Sequence, residues 1–345
     1  MALRIGINGF GRIGRAVLRA IVEYNLQEKF QVVHINSNGG SDDAFASVMA
    51  HLLQYDSVHG TFNALVKADD TAMLLEVNGQ PISLSCALSP SACPWGALGV
   101  DVVFECTGRY KSHASASAHL QAGAKQVLIS APGANDIDAT VVYGVNHDVL
   151  KPQHRVVSNA SCTTNCLAPL VAPLHHEFQI ESGLMNTIHA YTNDQQLLDT
   201  RHNDMRRARA AGQSMIPTKT GAAQAIGLVI PELAGRLSGG AIRVPLPNVS
   251  MVDLTFTTKK NLTVDVVNTC LQQASEAHLA GVLAINEAPL VSIDFNHHPA
   301  SAIADLTQTE VVGQQVKVMA WYDNEWGFAN RMLDTAAYMA SIYAE

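Results

Sequence analysis

The stretch LRIGINGFGRIGR, residues 3–15, decides the fold of the N-terminal part of the chain. Its first residues predict a short strand, and the apolar spacing at its end starts a helix. Gly9, Gly11 and Gly14 have the spacing of a dinucleotide-binding turn, in which they permit the bend, admit a pyrophosphate and allow close packing. A glycine-rich turn can be only a turn, but the strand before it and the helix after it favour dinucleotide binding. We assign six residues to the cofactor site: Gly9, Phe10, Gly11, Arg12, Ile13 and Gly14.

The second predicted strand, residues 30–35, ends without the acidic residue that normally binds the ribose of NAD. Ser37 lies near that position, and Asp42 and Asp43 come later, where they are expected to cap the next helix. Without the carboxylate, nothing repels a 2′-phosphate, although no site for one is created. We assign Ser37 to cofactor binding and expect NAD or NADP, with NAD slightly favoured.

Further apolar runs predict strands at residues 100–106, 126–130, 140–143 and 155–157, and a helix at 113–123. Near-continuous apolar strands alternating with helices are typical of a parallel sheet covered on both faces. Residues 1–161 are therefore predicted to form an α/β domain with a Rossmann-type doubly wound parallel sheet. Thr107 and Ser130 close two of these strands, and we assign both to the cofactor site.

The pattern changes in the second half, where strands outnumber helices. Alternating strands are predicted at residues 185–189, 242–244, 251–258, 290–294 and 316–322, and a helix at 264–278. We expect an α+β domain with a mainly antiparallel sheet at 162–326. Its polar, arginine-rich segment from about 191 to 217 is a long loop, which is usually functional. Helical spacing predicts a C-terminal helix, residues 327–345, that joins the first domain.

The stretch SNASCTTNC, residues 158–166, places Cys162 between a predicted strand and a predicted helix. Backbone N–H groups and the dipole at a helix N-terminus stabilise a thiolate. His189 follows another apolar run and is a candidate proton acceptor for it. The alternatives are a buried, inert cysteine, the usual fate of a free thiol, and a histidine that only packs in the core.

Composition narrows the class of protein. The chain has 345 residues, 48% hydrophobic and 15% charged, which is a globular composition. A net charge of −8 argues against nucleic-acid binding, and the Arg206–Arg209 cluster is either a solvated surface, an anion site or a subunit contact. Six scattered cysteines fit neither a zinc site nor a disulfide framework, so we expect a cytoplasmic protein without metal. No apolar run is long enough to span a bilayer, and we expect no membrane partner.

Residues 7–15, 160–166, 189–194 and 321–327 together resemble the phosphorylating glyceraldehyde-3-phosphate dehydrogenase family over essentially the whole chain. The resemblance implies an NAD(P)-dependent oxidoreductase acting on an aldehyde, with 162–326 as its catalytic domain. Cys162 would be the nucleophile and His189 its base, through a hemithioacetal and a thioester that inorganic phosphate attacks. This chemistry is expected to require a thiol pKa lowered by the imidazolium and the helix terminus.

The resemblance also implies two anion pockets and a subunit arrangement. Thr192 and Arg243 match the pocket for the substrate phosphate, and Arg207 (or Arg206) lies near the pocket for the attacking phosphate. The residues assigned to substrate and phosphate binding are Ser161, Thr163, Thr192, Arg207, Thr220, Gly221 and Arg243. Asn324 matches the residue that orients the nicotinamide carboxamide. The loop at 191–217 corresponds to an S-shaped loop at the centre of a homotetramer.

Two substrates remain open within the family. Residues 294–299, 307–309 and 327–334 look closer to the erythrose-4-phosphate dehydrogenase branch. The stretches 189–193 and 218–223, which belong to the active site, follow the glycolytic glyceraldehyde-3-phosphate form. Because function depends on the site, we expect D-glyceraldehyde 3-phosphate as substrate and keep D-erythrose 4-phosphate as the alternative. A non-catalytic binding protein on the same fold is a third possibility.

Some positions depart from the family pattern. Ser37 replaces the acidic residue usual in NAD-using members, and Thr200–Arg201 replaces a Leu–Pro pair common in them. Both changes favour tolerance of NADP, since Arg201 can pair with a 2′-phosphate. Phe328 replaces a tyrosine that is common near the nicotinamide.

Overall fold

The structure is a computed structural model that describes residues 2–38 and 44–343, so Asp42 and Asp43 lie outside the described residues. The chain forms two compact units. Unit 1 comprises Met1–Val141, His147–Ala160 and Ala329–Glu345, and unit 2 comprises Val142–Asn146 and Ser161–Phe328. These units are defined by packing, and the functional domains at 1–161 and 162–326 stay predictions. No helix in the described ranges combines the length and hydrophobicity needed to cross a membrane.

The regular elements are the following. The helices are α1 (Arg12–Glu23), α2 (Phe45–Gln54), α3 (His113–Gln121), α4 (Cys162–Phe178), α5 (Ala222–Val229), α6 (Val264–Glu276) and α7 (Trp326–Tyr343). The strands of unit 1 are β1 (Leu3–Asn8), β2 (Phe30–Asn36), β3 (Tyr55–Asp56), β4 (Gly60–Thr61), β5 (Val66–Asp69), β6 (Leu74–Val77), β7 (Gln80–Ser85), β8 (Val102–Glu105), β9 (Gln126–Ile129), β10 (Ala139–Thr140) and β11 (Val156–Ser158). Those of unit 2 are β12 (Ile180–Ala190), β13 (Ile216–Thr218), β14 (Leu237–Val244), β15 (Ser250–Thr258), β16 (Leu283–Asn286), β17 (Ala302–Asp305), β18 (Glu310–Val312) and β19 (Gln315–Tyr322).

Unit 1 contains a nine-stranded sheet in the order β10-β11-β9-β8-β1-β2-β7-β6-β5. The strands from β10 to β7 run parallel, whereas β6 and β5 add an antiparallel edge that the sequence patterns did not predict. All four residues of β8 and of β9 are buried, as expected for strands covered on both faces. Strand β1 lies between β8 and β2, and the chain builds one side of the sheet from β2 and the other side from β8. Doubly wound sheets bind ligands at such a reversal of strand order. The predicted Rossmann-type sheet is confirmed.

Unit 2 contains an eight-stranded sheet in the order β13-β14-β12-β15-β19-β17-β16, with β18 paired to β19. Most neighbours are antiparallel, and β12–β14 and β16–β17 are the parallel pairs. Helix α4 packs against the sheet and against α5 and α6, and nearly all of its residues are buried. The predicted mainly antiparallel sheet is confirmed.

Two predicted strands need correction. The strand predicted at 290–294 does not form, because the Asp294 carboxylate accepts a hydrogen bond from the Val291 N–H (2.8 Å) and Ser292–Phe295 forms a 3-10 turn. The strand predicted at 140–143 is only the two-residue β10, Ala139–Thr140.

Candidate active site

Cys162 is the first residue of α4, so its thiol lies at the helix N-terminus. Ser161 is the N-cap in extended conformation, and its hydroxyl accepts a hydrogen bond from the Thr164 N–H (3.0 Å). A capping serine of this kind stabilises a helix start by about 1 kcal/mol. Ala160, just before it, has a φ of 57°, which is unusual for a residue other than glycine. The turn that presents the thiol is therefore held by the cap despite a strained backbone.

The structure brings His189 to Cys162. The Cys162 Sγ lies 3.6 Å from the His189 Nε2, which is within hydrogen-bonding distance for sulfur. His189 is almost fully buried near the end of β12. A thiol and an imidazole in contact can exchange a proton, which is the arrangement that nucleophilic catalysis by cysteine needs.

Arg243 contacts the other side of the same imidazole. In the parallel ladder of β12 and β14, His189 pairs with Arg243. The Arg243 Nη1 lies 2.9 Å from the His189 Nδ1 and donates to the Ala190 carbonyl (2.9 Å). The His189 Nδ1 is also 2.6 Å from that carbonyl oxygen. Nδ1 can thus donate to Ala190, which leaves Nε2 as the acceptor that faces the thiol.

Burial and Arg243 together control ionisation at this pair. Burial raises the pKa of Cys162, while the Arg243 guanidinium and hydrogen bonds at the start of α4 oppose that rise. Burial and the same guanidinium lower the pKa of His189 to about 3. Both effects oppose the imidazolium that we expect to lower the thiol pKa, so that expectation stays a prediction. Arg243 supplies the positive charge, and the neutral His189 is free to accept a proton.

The Arg243 side chain also has unused hydrogen-bonding capacity. Its Nε is buried and has no partner among the described residues. A buried guanidinium N–H without an acceptor is costly, and an anion would satisfy it. This orphaned donor fits the predicted pocket for a substrate phosphate. Thr192, predicted for the same pocket, is exposed, and its N–H donates to the Gln195 side chain (2.9 Å).

Arg207 influences the ionisation of His189 and Arg243. Its charge helps to lower the pKa values of both His189 and Arg243. The side chain is held by the Asp194 carboxylate (2.6 Å) and the Thr218 hydroxyl (3.0 Å). A second cation is thus fixed close enough to the imidazole to influence it electrostatically.

The remaining residues predicted to bind phosphate differ in their surroundings. Gly221 is exposed and caps α5, and the Thr220 hydroxyl accepts from the Ala222 N–H (3.2 Å). Ser161 uses its hydroxyl as the cap of α4. Thr163 is buried, and its hydroxyl lies 2.9 Å from the Tyr322 hydroxyl. The structure records no contact that joins these four residues to one another, so their shared role stays a prediction.

The glycine-rich turn has the shape of a pyrophosphate cradle. Gly9 has a φ of 98°, and a Cβ there would lie 2.8 Å from the Cys106 and Thr107 backbone. A Cβ on Gly14 would lie 2.3 Å from the Gly9 carbonyl oxygen, whereas a Cβ on Gly11 would meet nothing within 4 Å. Gly11 is also the N-cap of α1 and provides no side-chain cap. The open space and the uncapped helix start suit a dinucleotide phosphate.

Three of the predicted cofactor residues line one narrow groove in unit 1, namely Gly9, Ser37 and Thr107. Ser130 directly follows β9, and its hydroxyl donates a hydrogen bond to the Glu105 backbone carbonyl (3.0 Å). Arg12 forms an ion pair with Asp56 (2.5 Å). Phe10 is buried and Ile13 partly buried. The structure therefore gathers part of the predicted set, and the cofactor contacts of the others stay predictions.

Sequence reasoning missed Glu105, a fully buried carboxylate that supports the groove. It accepts hydrogen bonds from the Asn8 amide (2.5 Å), the His119 Nε2 (3.0 Å) and the Thr107 N–H (2.8 Å). The Trp95 indole N–H donates to the His119 Nδ1 (3.1 Å), which fixes the tautomer that donates to Glu105. The available signal was an acidic residue at the end of the apolar run VVFE, residues 102–105.

Tyr322 was also missed. Its buried hydroxyl lies 2.9 Å from the Thr163 hydroxyl and 2.8 Å from the Thr187 hydroxyl, and its ring contacts His189 edge to face. Burial raises its pKa, so the phenol stays neutral. The tyrosine links α4 to β12 at the level of the Cys162–His189 pair. In the sequence it ends an alternating strand and lies in the motif at 321–327, but neither feature indicates that its hydroxyl contacts Thr163 and Thr187.

The described part of the chain contains no group of three histidine, cysteine or acidic side chains that could hold a metal ion. The glycine-rich turn fits a dinucleotide, and Cys162 lies in contact with His189 near two cationic side chains. These features are typical of an oxidoreductase that acts on an aldehyde group.

Comparison with known proteins gives the family. The profile for the glyceraldehyde 3-phosphate dehydrogenase NAD-binding domain matches residues 3–113, and that for the C-terminal domain matches residues 161–324. A glyceraldehyde-3-phosphate dehydrogenase of Pseudomonas aeruginosa is 59% identical over 341 residues, which cover 99% of each chain. Proteins of the same name from Cupriavidus necator (plasmid-encoded) and Geobacillus stearothermophilus are 57% and 50% identical, again over 99% of each chain. The chain belongs to the glyceraldehyde-3-phosphate dehydrogenase family, and it is an NAD(P)-dependent oxidoreductase acting on the aldehyde group.

Proposed function

We propose that this protein catalyses the phosphorylating oxidation of D-glyceraldehyde 3-phosphate to 1,3-bisphosphoglycerate, with NAD(P)+ and inorganic phosphate. The observation that carries the proposal is the 3.6 Å contact between the Cys162 Sγ and the His189 Nε2, with Arg243 on the far side of the imidazole. The names of the relatives and the motifs of the active site support this substrate.

The chemistry begins at Cys162. As its sulfur bonds to the aldehyde carbon, the thiol proton passes to the His189 Nε2 and on to the new alkoxide, giving a hemithioacetal. His189 then accepts the hydroxyl proton as hydride leaves the carbon, and a thioester remains on Cys162. The dinucleotide supplies the hydride acceptor when bound. Gly9, Gly11 and Gly14 would hold its pyrophosphate. The other residues proposed to bind it are Ser37, Thr107, Ser130 and Asn324.

The second half-reaction releases the product. An oxygen of inorganic phosphate bonds to the thioester carbon, the carbon–sulfur bond breaks, and the leaving thiolate recovers a proton from His189. The Arg243 guanidinium suits the substrate phosphate because its Nε lacks an acceptor. Ser161, Thr163, Thr220, Gly221 and Arg207 are proposed for the attacking phosphate.

The proposal extends to the organisation of the protein. Unit 1 would serve as the cofactor-binding domain and unit 2 as the catalytic domain. The loop at 191–217 exposes four large apolar side chains, Leu197, Leu198, Met205 and Met215, which supports burial between subunits of a homotetramer. Light scattering on the purified protein would give the mass of four chains. None of the six cysteines, all of which are described, forms a disulfide, which supports a reducing cytoplasm.

The test is the initial rate with D-glyceraldehyde 3-phosphate and with D-erythrose 4-phosphate, each with NAD and NADP, with and without phosphate. We expect phosphate-dependent turnover of the three-carbon aldehyde, which the C162S variant abolishes. The C270S variant is the matched control, since Cys270 is a partly buried thiol on α6. A preference for the four-carbon aldehyde would assign the protein to the erythrose branch. Absence of turnover with either aldehyde would refute the enzymatic proposal.

A further inference from the structure

Ser250 lies between two parts of the catalytic unit. It is the first residue of β15 and is 1% exposed. Its Oγ lies 3.1 Å from the Ala190 N–H and 2.9 Å from the Asn324 Oδ1. Ala190 follows His189 at the end of β12, and Asn324 is the residue predicted to orient the nicotinamide carboxamide. One hydroxyl thus joins the backbone beside the catalytic base to a residue of the cofactor site.

The geometry determines which way the hydroxyl proton points. A backbone N–H can only donate, so the Ser250 Oγ is the acceptor toward Ala190. A serine hydroxyl has one proton to donate, and the second partner of the Ser250 hydroxyl among the described residues is the Asn324 side chain. The proton therefore points at Asn324, which must present its oxygen to Ser250.

This direction has a consequence for Asn324. When the Asn324 oxygen accepts from Ser250, the Asn324 NH2 group points away from Ser250. This NH2 group has no protein partner among the described residues. Asn324 is 6% exposed, so a freely rotating amide would leave polar atoms poorly satisfied. An amide held in this way presents donors, and the complementary group on a nicotinamide ring is the carboxamide oxygen.

We propose that Ser250 is a positioning residue, which sets the amide orientation of Asn324 so that its NH2 group donates to the carboxamide oxygen of the cofactor. This inference rests on the proposed function. Ser250 itself does not contact the reacting atoms. It acts by excluding the flipped amide, which would place an acceptor against the carboxamide oxygen.

The test compares the natural cofactor with its thionicotinamide analogue, in which sulfur replaces the carboxamide oxygen. Sulfur is a weak acceptor, so turnover of the analogue depends little on the Asn324 donor. The measured quantity is the ratio of the natural cofactor to the analogue, taken both for kcat/KM and for the association constant from a binding titration without aldehyde. Any effect of a variant on Cys162, His189 or folding cancels in that ratio.

The variants are S250A and N324A, singly and together, with T257V as the control. Thr257 lies on the same strand, and its exposed hydroxyl contacts Ser182 (2.9 Å). We expect S250A and N324A each to lower the ratio about tenfold, the effect of one hydrogen bond, and T257V to leave it unchanged. The double variant is expected to have the ratio of N324A, because Ser250 acts only through Asn324.

Other results overturn the proposal. If S250A lowers turnover of both cofactors equally, Ser250 is structural. If N324A leaves the ratio unchanged, Asn324 does not bind the carboxamide oxygen. If S250A does not fold, the S250C variant, which has a similar shape and a weak hydrogen-bonding group, replaces it. The wild-type rate distinguishes these outcomes from failure of the proposed function, since the proposed function fails only if the wild-type protein itself has no turnover.

Discussion

Replacing Arg243 with glutamine removes a positive charge that acts on both Cys162 and His189. The Arg243 Nη1 lies 2.9 Å from the His189 Nδ1. Burial is the main cause of the lowered pKa of His189, and the charge of Arg243 lowers it further. The same charge opposes the rise in the pKa of Cys162 that burial causes. We therefore expect both pKa values to rise in R243Q, because the imidazolium is no longer repelled and the thiolate is no longer stabilised.

The contact geometry gives the size of the effect. For two unit charges roughly 5 Å apart at an effective dielectric constant of about 20, the Coulomb energy is about 3 kcal/mol, which corresponds to about two pKa units. The pKa of His189, about 3 in the wild-type protein, would rise in R243Q, although burial would still hold it below its usual value. Below its pKa the imidazole is protonated and cannot accept a proton. The acid limb of the activity profile therefore moves to higher pH.

Two assays measure the shifts without relying on phosphate binding. The pH dependence of kcat/KM for unphosphorylated D-glyceraldehyde reports on His189. The pH dependence of alkylation by iodoacetamide reports on the Cys162 thiolate, with C162S subtracted as background. The R243K variant keeps the charge and is the matched control, for which we expect smaller shifts than for R243Q.

A clear result would refute this reasoning. If R243Q alkylates with the wild-type pH dependence and its acid limb stays in place, the charge of Arg243 does not control the pair. Equal shifts in R243K and R243Q would show that hydrogen bonding, rather than charge, is responsible.

Three further changes test other parts of the structure. G9A places a Cβ 2.8 Å from backbone atoms at a φ of 98° and should abolish cofactor binding in a fluorescence titration, whereas G212A, where a Cβ meets nothing within 4 Å, should bind normally. E105Q replaces a buried acceptor of several donors with an amide and should lower the free energy of unfolding by about 3 kcal/mol in urea, and an unchanged transition midpoint would contradict the buried network. S161A and T263A each remove a helix N-cap worth about 1 kcal/mol, but S161A alone should also raise KM for phosphate; an equal KM in both would exclude Ser161 from the phosphate site.

Local patterns were sufficient for the parallel core of unit 1. The turn from Gly9 to Gly14 combines a sharp bend, close packing and a helix start, and few other structures require glycine at all three places. The strands β8 and β9 could be predicted because they are apolar throughout. The antiparallel edge formed by β6 and β5 was not predicted, because these strands are short, partly exposed and defined by pairing with their neighbours.

The wrong strand at 290–294 shows where alternation misleads. The apolar residues at 290, 291 and 293 are exposed to different degrees, and the carboxylate of Asp294 bonds the backbone three residues earlier. Short acidic side chains compete with strand pairing in this way. The alternation of apolar and polar residues gives no information about that hydrogen bond.

The site was predictable only in part. The motif around Cys162 and the segment beginning at His189 suggested a thiol and its base, and the structure places them in contact. That Arg243 controls their ionisation, and that Ser250 and Tyr322 support the same site, depends on neighbours far apart in sequence. Spacing along the chain gives no indication of such contacts, since they arise from strand pairing.

The pairing of His189 with Arg243 on one rung of the β12–β14 ladder has a consequence for engineering this protein. The two residues are 54 positions apart in sequence, but strand pairing brings them together, whatever the length of the segment between the strands. An insertion into the connecting segment that leaves Thr192, Arg207 and Thr220 in place, for example to graft a new recognition loop, would not change the pairing of His189 with Arg243. A single insertion within β14 would turn Arg243 to the opposite face of the sheet and remove the charge from the catalytic pair.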